Sequence, residues 1–365
     1  MKLSTSMKAA AIGGVALLAL TSCAANEGGS TSEEGSASSL SGTLNGSGAS
    51  SQDAAQQAWI AGFQTANDAV TINYDPTGSG TGREQFQQGA TAFAGSDRAF
   101  KLEEIEAGPF DSCAADSDIV EFPAYISPIA IIFSVEGVDS LNLDADTVAR
   151  IFTGEITKWN DPAIAATNEG TDLPDLAITA VHRSDDSGTT GNFTDYLSAA
   201  APDAWTVGSI ETWPTEFGGD GANGTSGVVD AVKNGVGTIG YADASKAGDL
   251  GTVSIKVGEE FVSYSPEAAA AIVDASPLES GRTEHDLAIT LDRSSTADGV
   301  YPIVLVSYLI GCTQYTDAAN AELVKNYFGY IVSEEGQQAA AEAAGSAPIS
   351  ADLRSKVETA IAAIG

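Results

Sequence analysis

Along the chain, short runs of β-branched and aromatic residues alternate with segments whose apolar positions recur every three or four residues. That mixture of periods predicts an α/β architecture. "SGTLNGSG" reads as a strand and turn leading to a helix over about residues 52–66, with Trp59 and Phe63 four apart on one face. "AVTINYDP" is a second strand, "TGSGTG" a glycine-rich turn, and the following helix carries Phe86. "TAFAGSD" is a short strand ending at Ser96-Asp97. The apolar run "VEFPAYISPIAIIFSV" contains Pro123 and Pro128, which predict strand, bend, strand rather than a helix.

Further on, "DADTVARIFTG" opens with aspartates suited to a helix N-terminus and closes on Gly154. "LAITAVHR" is a strand delivering Arg183, and "GTTGNFTDYLSAA" is the helix after it. "VVDAVKNGVGTIGYADA" reads as helix, glycine stop, strand, and "PIVLVSYLIG" (302–311) as a fully buried strand. Helices over about 317–344 and 350–364 follow.

Four times a strand or turn runs into small hydroxyl and glycine residues just before a helix: at 46–53, 77–84, 94–97 and 185–192. A Ser or Thr there can cap the free backbone N–H groups. The same N–H groups and the helix dipole also suit an anion. In doubly wound sheets, ligands gather at the C-terminal ends of strands. Several such termini and one arginine, Arg183, would make an anion pocket without a large basic patch.

The first 22 residues break this pattern. Lys2 and Lys8 precede an apolar run, Ala9 to Leu20, that is short for a transmembrane helix and reads as an export signal. It ends in Leu20-Thr21-Ser22-Cys23, which resembles a bacterial lipobox. Lipid on Cys23 would then anchor the chain at the outer face of the cell membrane. Residues 23–41, rich in Gly, Ser and Glu, read as a flexible tether. The remainder is long enough for two domains.

The formal charge is −34 and becomes two units more negative once Lys2 and Lys8 are removed. Such a charge excludes nucleic acid and acidic membrane surfaces as natural partners. Besides Cys23 the chain has Cys113 and Cys312. In an exported protein these suggest one disulfide, the alternative being two buried thiols. With only His182 and His285, and no paired-cysteine spacing, neither a metal centre nor another cofactor is expected.

From about Leu44 onward the chain resembles the substrate-binding proteins of bacterial phosphate ABC importers, which have the two-lobed (type II) periplasmic-binding-protein fold. The resemblance is carried, in order, by "LNGSGASS", "YDPTGSGTG", "FAGSD", "ARIFTGEITKWNDPAIAATN", "AVHRSDDSGTTGNFTDYL" and "GVGTIGYADA". It implies phosphate in the interdomain cleft and delivery to an ABC permease and its ATPase, with the binding protein a monomer. It implies a first lobe of 42–124 with 303–365, a second of 125–302, and two crossover strands between them. The implied phosphate-binding residues are Ser50, Ser51, Ser79, Asp97, Arg183, Ser187, Gly188 and Thr189, with Asp185 pairing with the arginine. At Ser51 and Gln52 the family usually has an aromatic and a proline, so packing over the ligand is expected to differ there.

The chemistry stands beside the resemblance. Arg183 offers a planar fork of donors. The hydroxyls can donate, and Gly188 lets backbone come close. An ionised Asp97 can only accept, so it suits hydrogen phosphate, which still carries an O–H; sulfate has none. A buried group left unpaired costs about 1–3 kcal/mol, more if charged, so Asp97 is expected to set selectivity and Arg183 to anchor. His182, adjacent along the strand, points elsewhere and reads as structural. The rival readings are a binder of sulfate or molybdate, and a phosphatase or hydrolase using Ser187. No G-x-S-x-G elbow supports the latter, and a non-enzymatic role is expected.

Overall fold

The structure, a computed structural model, describes residues 40–365. The expected signal peptide, Cys23 and the tether up to residue 39 lie outside the described residues. No helix among those described is long and apolar enough to cross a membrane.

Three parallel strands open the fold: β1 (Gly42–Gly48), β2 (Val70–Asp75) and β3 (Phe93–Ser96), in the spatial order β2-β1-β3. Helices α1 (Asp53–Ala66) and α2 (Ser79–Gln87) connect them, and a short α3 (Leu102–Ala107) follows. Trp59 and Phe63 of α1 are buried, as their spacing predicts.

β4 (Ile119–Ser134) departs from the expected strand, bend, strand. It is one 16-residue strand, and all but its last residue are buried. Its first half, Ile119 to Pro128, pairs antiparallel with β11 (Val304–Cys312), and its second half, from Ile129, pairs with β8 (Thr238–Asp243). The two prolines do their work inside the strand. Pro128 stands where the partner changes, and a register shift between Ser307 and Tyr308 lies opposite the stretch from Pro123 to Tyr125. A strand that exchanges partners and bulges tolerates a missing ladder N–H.

Beyond that exchange lie β5 (Ser140–Leu143), α4 (Ala145–Phe152), α5 (Pro162–Ala166), β6 (Thr179–Arg183), α6 (Gly188–Ala200), β7 (Asp220–Ala222) and α7 (Gly224–Asn234). After β8 come β9 (Gly251–Val257), β10 (Glu260–Val262) and α8 (Pro266–Asp274). β6 runs parallel to both β8 and β7, while β9 bridges β4, β5 and β10. α9 (Ala318–Val332), α10 (Glu334–Ala344) and α11 (Ala351–Ala362) complete the chain. The path β2-β1-β3-β11-β4-β8-β6-β7 thus falls into two halves, joined through β4, which are the cores of two lobes.

Each lobe has aromatic contacts of its own within one continuous hydrophobic core. In the first, Phe93 packs against Tyr327 and Phe328; in the second, Phe193 stacks on Tyr241 with Phe152 beside them. Cys113 and Cys312 form a disulfide that ties the segment after α3 to the end of β11. At the partner exchange, the Tyr125 hydroxyl donates to Asp243, 3.1 Å from each carboxylate oxygen. Burial raises the Asp243 carboxyl to about 6, although hydrogen bonds from Ser245, Ser127 and Tyr125 favour its charged form.

Candidate functional site

The helix starts predicted from the sequence converge from both lobes. Ser187 caps α6 in the ordinary way, its Oγ accepting from Thr190 N at 3.2 Å. Ser50 and Ser79 do not cap their helices. Ser50 Oγ lies 3.0 Å from Thr225 Oγ1 of α7, in the other lobe, and accepts from Thr225 N at 3.2 Å. Ser79 Oγ accepts the backbone N–H of Asp97 at 3.1 Å. "AGSD" (94–97) also differs from expectation. It is the end of β3 with no helix directly after it, because α3 starts only at Leu102.

Arg183, at the end of β6, is buried. Its Nε donates to Asp185 Oδ1 at 2.7 Å and its Nη2 to Asp185 Oδ2, so one carboxylate grips one edge of the guanidinium. Asp185 also accepts from Gly224 N at 3.0 Å. Burial alone would raise its carboxyl; hydrogen bonding and charge from Arg183 outweigh that and lower it. The remaining nitrogen, Nη1, points to Thr189 Oγ1 at 3.4 Å. The backbone beneath is fixed by Tyr241, whose hydroxyl accepts from Arg183 N at 3.3 Å and lies 2.7 Å from Thr190 Oγ1. His182 stacks on Trp213, and its Nδ1 lies 2.9 Å from Arg183 O, away from these groups.

Asp97 is 2% exposed and faces Arg183 across the first turn of α6. Its Oδ1 accepts from Ser51 Oγ at 2.6 Å and Ser307 Oγ at 2.7 Å; its Oδ2 accepts from Thr189 Oγ1 at 3.1 Å. Burial raises the Asp97 carboxyl, while those hydroxyls and the charge of Arg183 pull it down. Gly188 is required where the lobes meet: a Cβ there would come within 2.6 Å of Asp97 Cβ and Ser79 Oγ. Gly78, at a φ of 102°, does the same for Asp185, whose Oδ2 would lie 2.7 Å from an added Cβ. All nine expected residues, the half-buried Asp185 included, therefore belong to one cluster in which Asp185 engages the Arg183 guanidinium and Asp97 is the carboxylate surrounded by hydroxyl donors.

The sequence reading missed several groups that hold this cluster. Ser307 and Gln52 back Asp97, with Gln52 Nε2 donating to Ser307 Oγ at 2.6 Å. Asn192 of α6 donates to Asp97 O at 2.5 Å and Gly188 O at 3.0 Å, and Arg293 holds its Oδ1. Glu211, from the second lobe, accepts through one oxygen from Arg83 Nη2 and Arg98 Nε of the first, both at 2.7 Å. Its backbone carbonyl accepts from Ser187 N at 3.1 Å, which ties this latch to the start of α6. The hydroxyl of Ser51, a residue expected to bind phosphate, donates to the Asp97 carboxylate.

Residues 32–335 match the PBP superfamily domain. The chain is 33% identical to the phosphate-binding protein PstS2 of Mycobacterium bovis (strain BCG / Pasteur 1173P2), over the whole of both chains. The chain belongs to the PstS family. With phosphate-binding protein PstS 3 of Mycobacterium leprae the identity is 36%, over 88% of this chain and 87% of that one. The fold matches that of a high-affinity periplasmic phosphate-binding protein (PfluDING) solved with phosphate bound, at a TM-score of 0.68 and 21% identity, over 87% of this chain and 93% of that one. A donor set closed around one acceptor carboxylate is therefore set in a PstS-family framework.

Proposed function

We propose that this protein binds inorganic phosphate in the cleft between its lobes and hands it to an ABC permease and ATPase for uptake. It acts outside the cytoplasm as a monomer, held to the outer face of the membrane by lipid on Cys23. Arg183, the hydroxyls of Ser50, Ser79 and Ser187, and the backbone N–H groups of Ser51, Gly188 and Thr189 offer donors to the anion, and Asp97 accepts its remaining proton. The lobe limits, 42–124 with 303–365 against 125–302, and their closure over the ligand belong to the same reading.

The observation that carries the proposal is the carboxylate of Asp97 among donors. A carboxylate has about four acceptor positions, and three are taken by Ser51, Ser307 and Thr189. The one left on Oδ2 fits an O–H, which hydrogen phosphate has and sulfate lacks. Ser187 favours binding over hydrolysis. Its oxygen accepts from a backbone N–H, and His182 hydrogen-bonds a backbone carbonyl instead.

Titration calorimetry with phosphate and sulfate at pH 6 and pH 8, on the protein and on Asp97→Asn, tests this. Phosphate is expected to bind far more tightly than sulfate, and Asp97→Asn is expected to weaken phosphate and narrow the gap. Tight sulfate binding by the unaltered protein, or phosphate affinity untouched by the substitution, would overturn the reading.

A further inference from the structure

A line of buried hydrogen bonds crosses the first lobe and ends on Asp97. Tyr327 OH donates to Gln56 Oε1 at 2.8 Å, and Gln56 Nε2 to Gln52 Oε1 at 2.9 Å. Gln52 Nε2 then donates to Ser307 Oγ at 2.6 Å, and Ser307 Oγ to Asp97 Oδ1 at 2.7 Å. Every member is buried.

Its direction is fixed by chemistry. Gln52 Nε2 also lies 3.0 Å from the Tyr308 carbonyl, which can only accept, so Gln52 must present its amide nitrogen on that side. Its oxygen then faces Gln56, which must present nitrogen in turn and turn its own oxygen to the Tyr327 hydroxyl. Because Ser307 accepts from Gln52, its own proton is committed to Asp97.

We propose that Gln52 and Gln56 are positioning residues for anion selectivity: through Ser307 they hold Asp97 as an acceptor, and so set the pH at which the site stops distinguishing protonated from unprotonated oxyanions. This rests on the phosphate-binding reading of the site. Were Asp97 to take up a proton, it would become a donor toward the ligand, and an anion without a proton, such as sulfate, would no longer be rejected. The relay opposes that protonation, since its last hydroxyl already donates to the carboxylate. Other charged and titratable groups around Asp97 are Arg183 with its partner Asp185, Tyr74, Arg83 on Ser96, Arg98 engaged by Glu104 and Glu211, Arg293 behind Asn192, and Lys101 and Tyr308 beside the same cavity. None of them belongs to the relay.

The test is the ratio of phosphate to sulfate affinity, measured calorimetrically from pH 5 to pH 8.5 on the full chain, Ser307→Ala, Ser307→Thr and Gln52→Leu, with thermal melts to confirm folding. Loss of one hydrogen bond to a buried charge is expected to move the fall in selectivity upward by about one pH unit, a loss of about tenfold in the ratio on the acid side. Ser307→Ala and Gln52→Leu should show it, and Ser307→Thr, which keeps the hydroxyl, should restore the original profile. Gln56→Leu is the more remote alternative if Gln52→Leu does not fold. A folded Ser307→Ala or Gln52→Leu whose profile superimposes on that of the unaltered protein overturns the inference while leaving phosphate binding intact. An unaltered protein that does not prefer phosphate overturns the underlying reading, and this inference with it.

Discussion

Thr189, in the first turn of α6, donates its hydroxyl to Asp97, at the end of β3, across 3.1 Å. The two residues belong to different lobes, and the same oxygen lies 3.4 Å from Arg183 Nη1. One hydroxyl therefore stands between the cation and the carboxylate of the site, holding them apart while linking them. Arg183 meets Asp97 without forming an ion pair with it, because Asp185 occupies two of its three nitrogens.

That arrangement makes the guanidinium's shape matter as much as its charge. Arg183→Lys would keep a cation but lose the two-point grip of Asp185 and the nitrogen aimed at Thr189. Phosphate affinity, measured by calorimetry, is expected to fall by about a hundredfold or more, with circular dichroism unchanged.

Glu211 joins the lobes through Arg83 and Arg98, beside the anion site. Glu211→Gln keeps an acceptor for Arg83 and Arg98 but removes the charge between them. The expected outcome is phosphate affinity about tenfold weaker, together with a larger radius of gyration in small-angle scattering without ligand, because the closed arrangement is less favoured. Unchanged scattering and affinity would show that the latch carries no closing energy.

The Cys113–Cys312 bridge spans 199 residues of sequence. Opening so long a loop in the unfolded chain is expected to lower stability by about 2–5 kcal/mol in the double variant Cys113→Ala/Cys312→Ala. Urea unfolding under oxidising conditions checks this. The bridge is at the last residue of β11, five residues beyond Ser307, and touches none of the site's hydrogen bonds, so phosphate affinity of the folded variant should shift by less than about threefold.

Asp243 gives a pH dependence with a definite sign. Its folded carboxyl is raised to about 6, so the fold favours its neutral form. The associated stability is fully present below the ordinary carboxylate range and is lost as pH rises through about 6. Relative to Asp243→Asn, the unaltered protein is expected to lose up to about 3 kcal/mol between pH 4 and pH 7. Parallel denaturation curves at several pH values, taken as the difference between the two proteins, remove the common effect of the high net charge.

Much of this structure was legible in the chain. The period-two and period-3.6 runs located α1, α6, α7 and β11, and the hydroxyl-glycine punctuation marked the groups that meet in the cleft. Several short elements were not legible, among them β5, β7, β10, α3 and α5. Each is too brief to establish a period of its own and is set by its neighbours. β9 did carry a signal in Val253, Ile255 and Val257, which alternate and are buried.

The relay could also have been suspected. Gln52 and Gln56 share a helical face with Trp59 and Phe63, and Ser307 interrupts an otherwise apolar strand; polar groups on buried stripes need partners. The Glu211 latch had no such sign. Arg83, Arg98 and Glu211 are scattered among many charges, and only the folded chain brings them together.

Of the seven arginines in the chain, Arg83, Arg183 and Arg293 are buried. With those cations turned inward, the excess of carboxylates dominates the exterior. An approaching dianion meets repulsion at long range and donors only at contact. Dissolved salt screens the first over a distance of about 10 Å at 0.1 M and leaves the second largely intact. Capture should therefore quicken as ionic strength rises, the reverse of the steering by which most charged ligands are drawn to their sites.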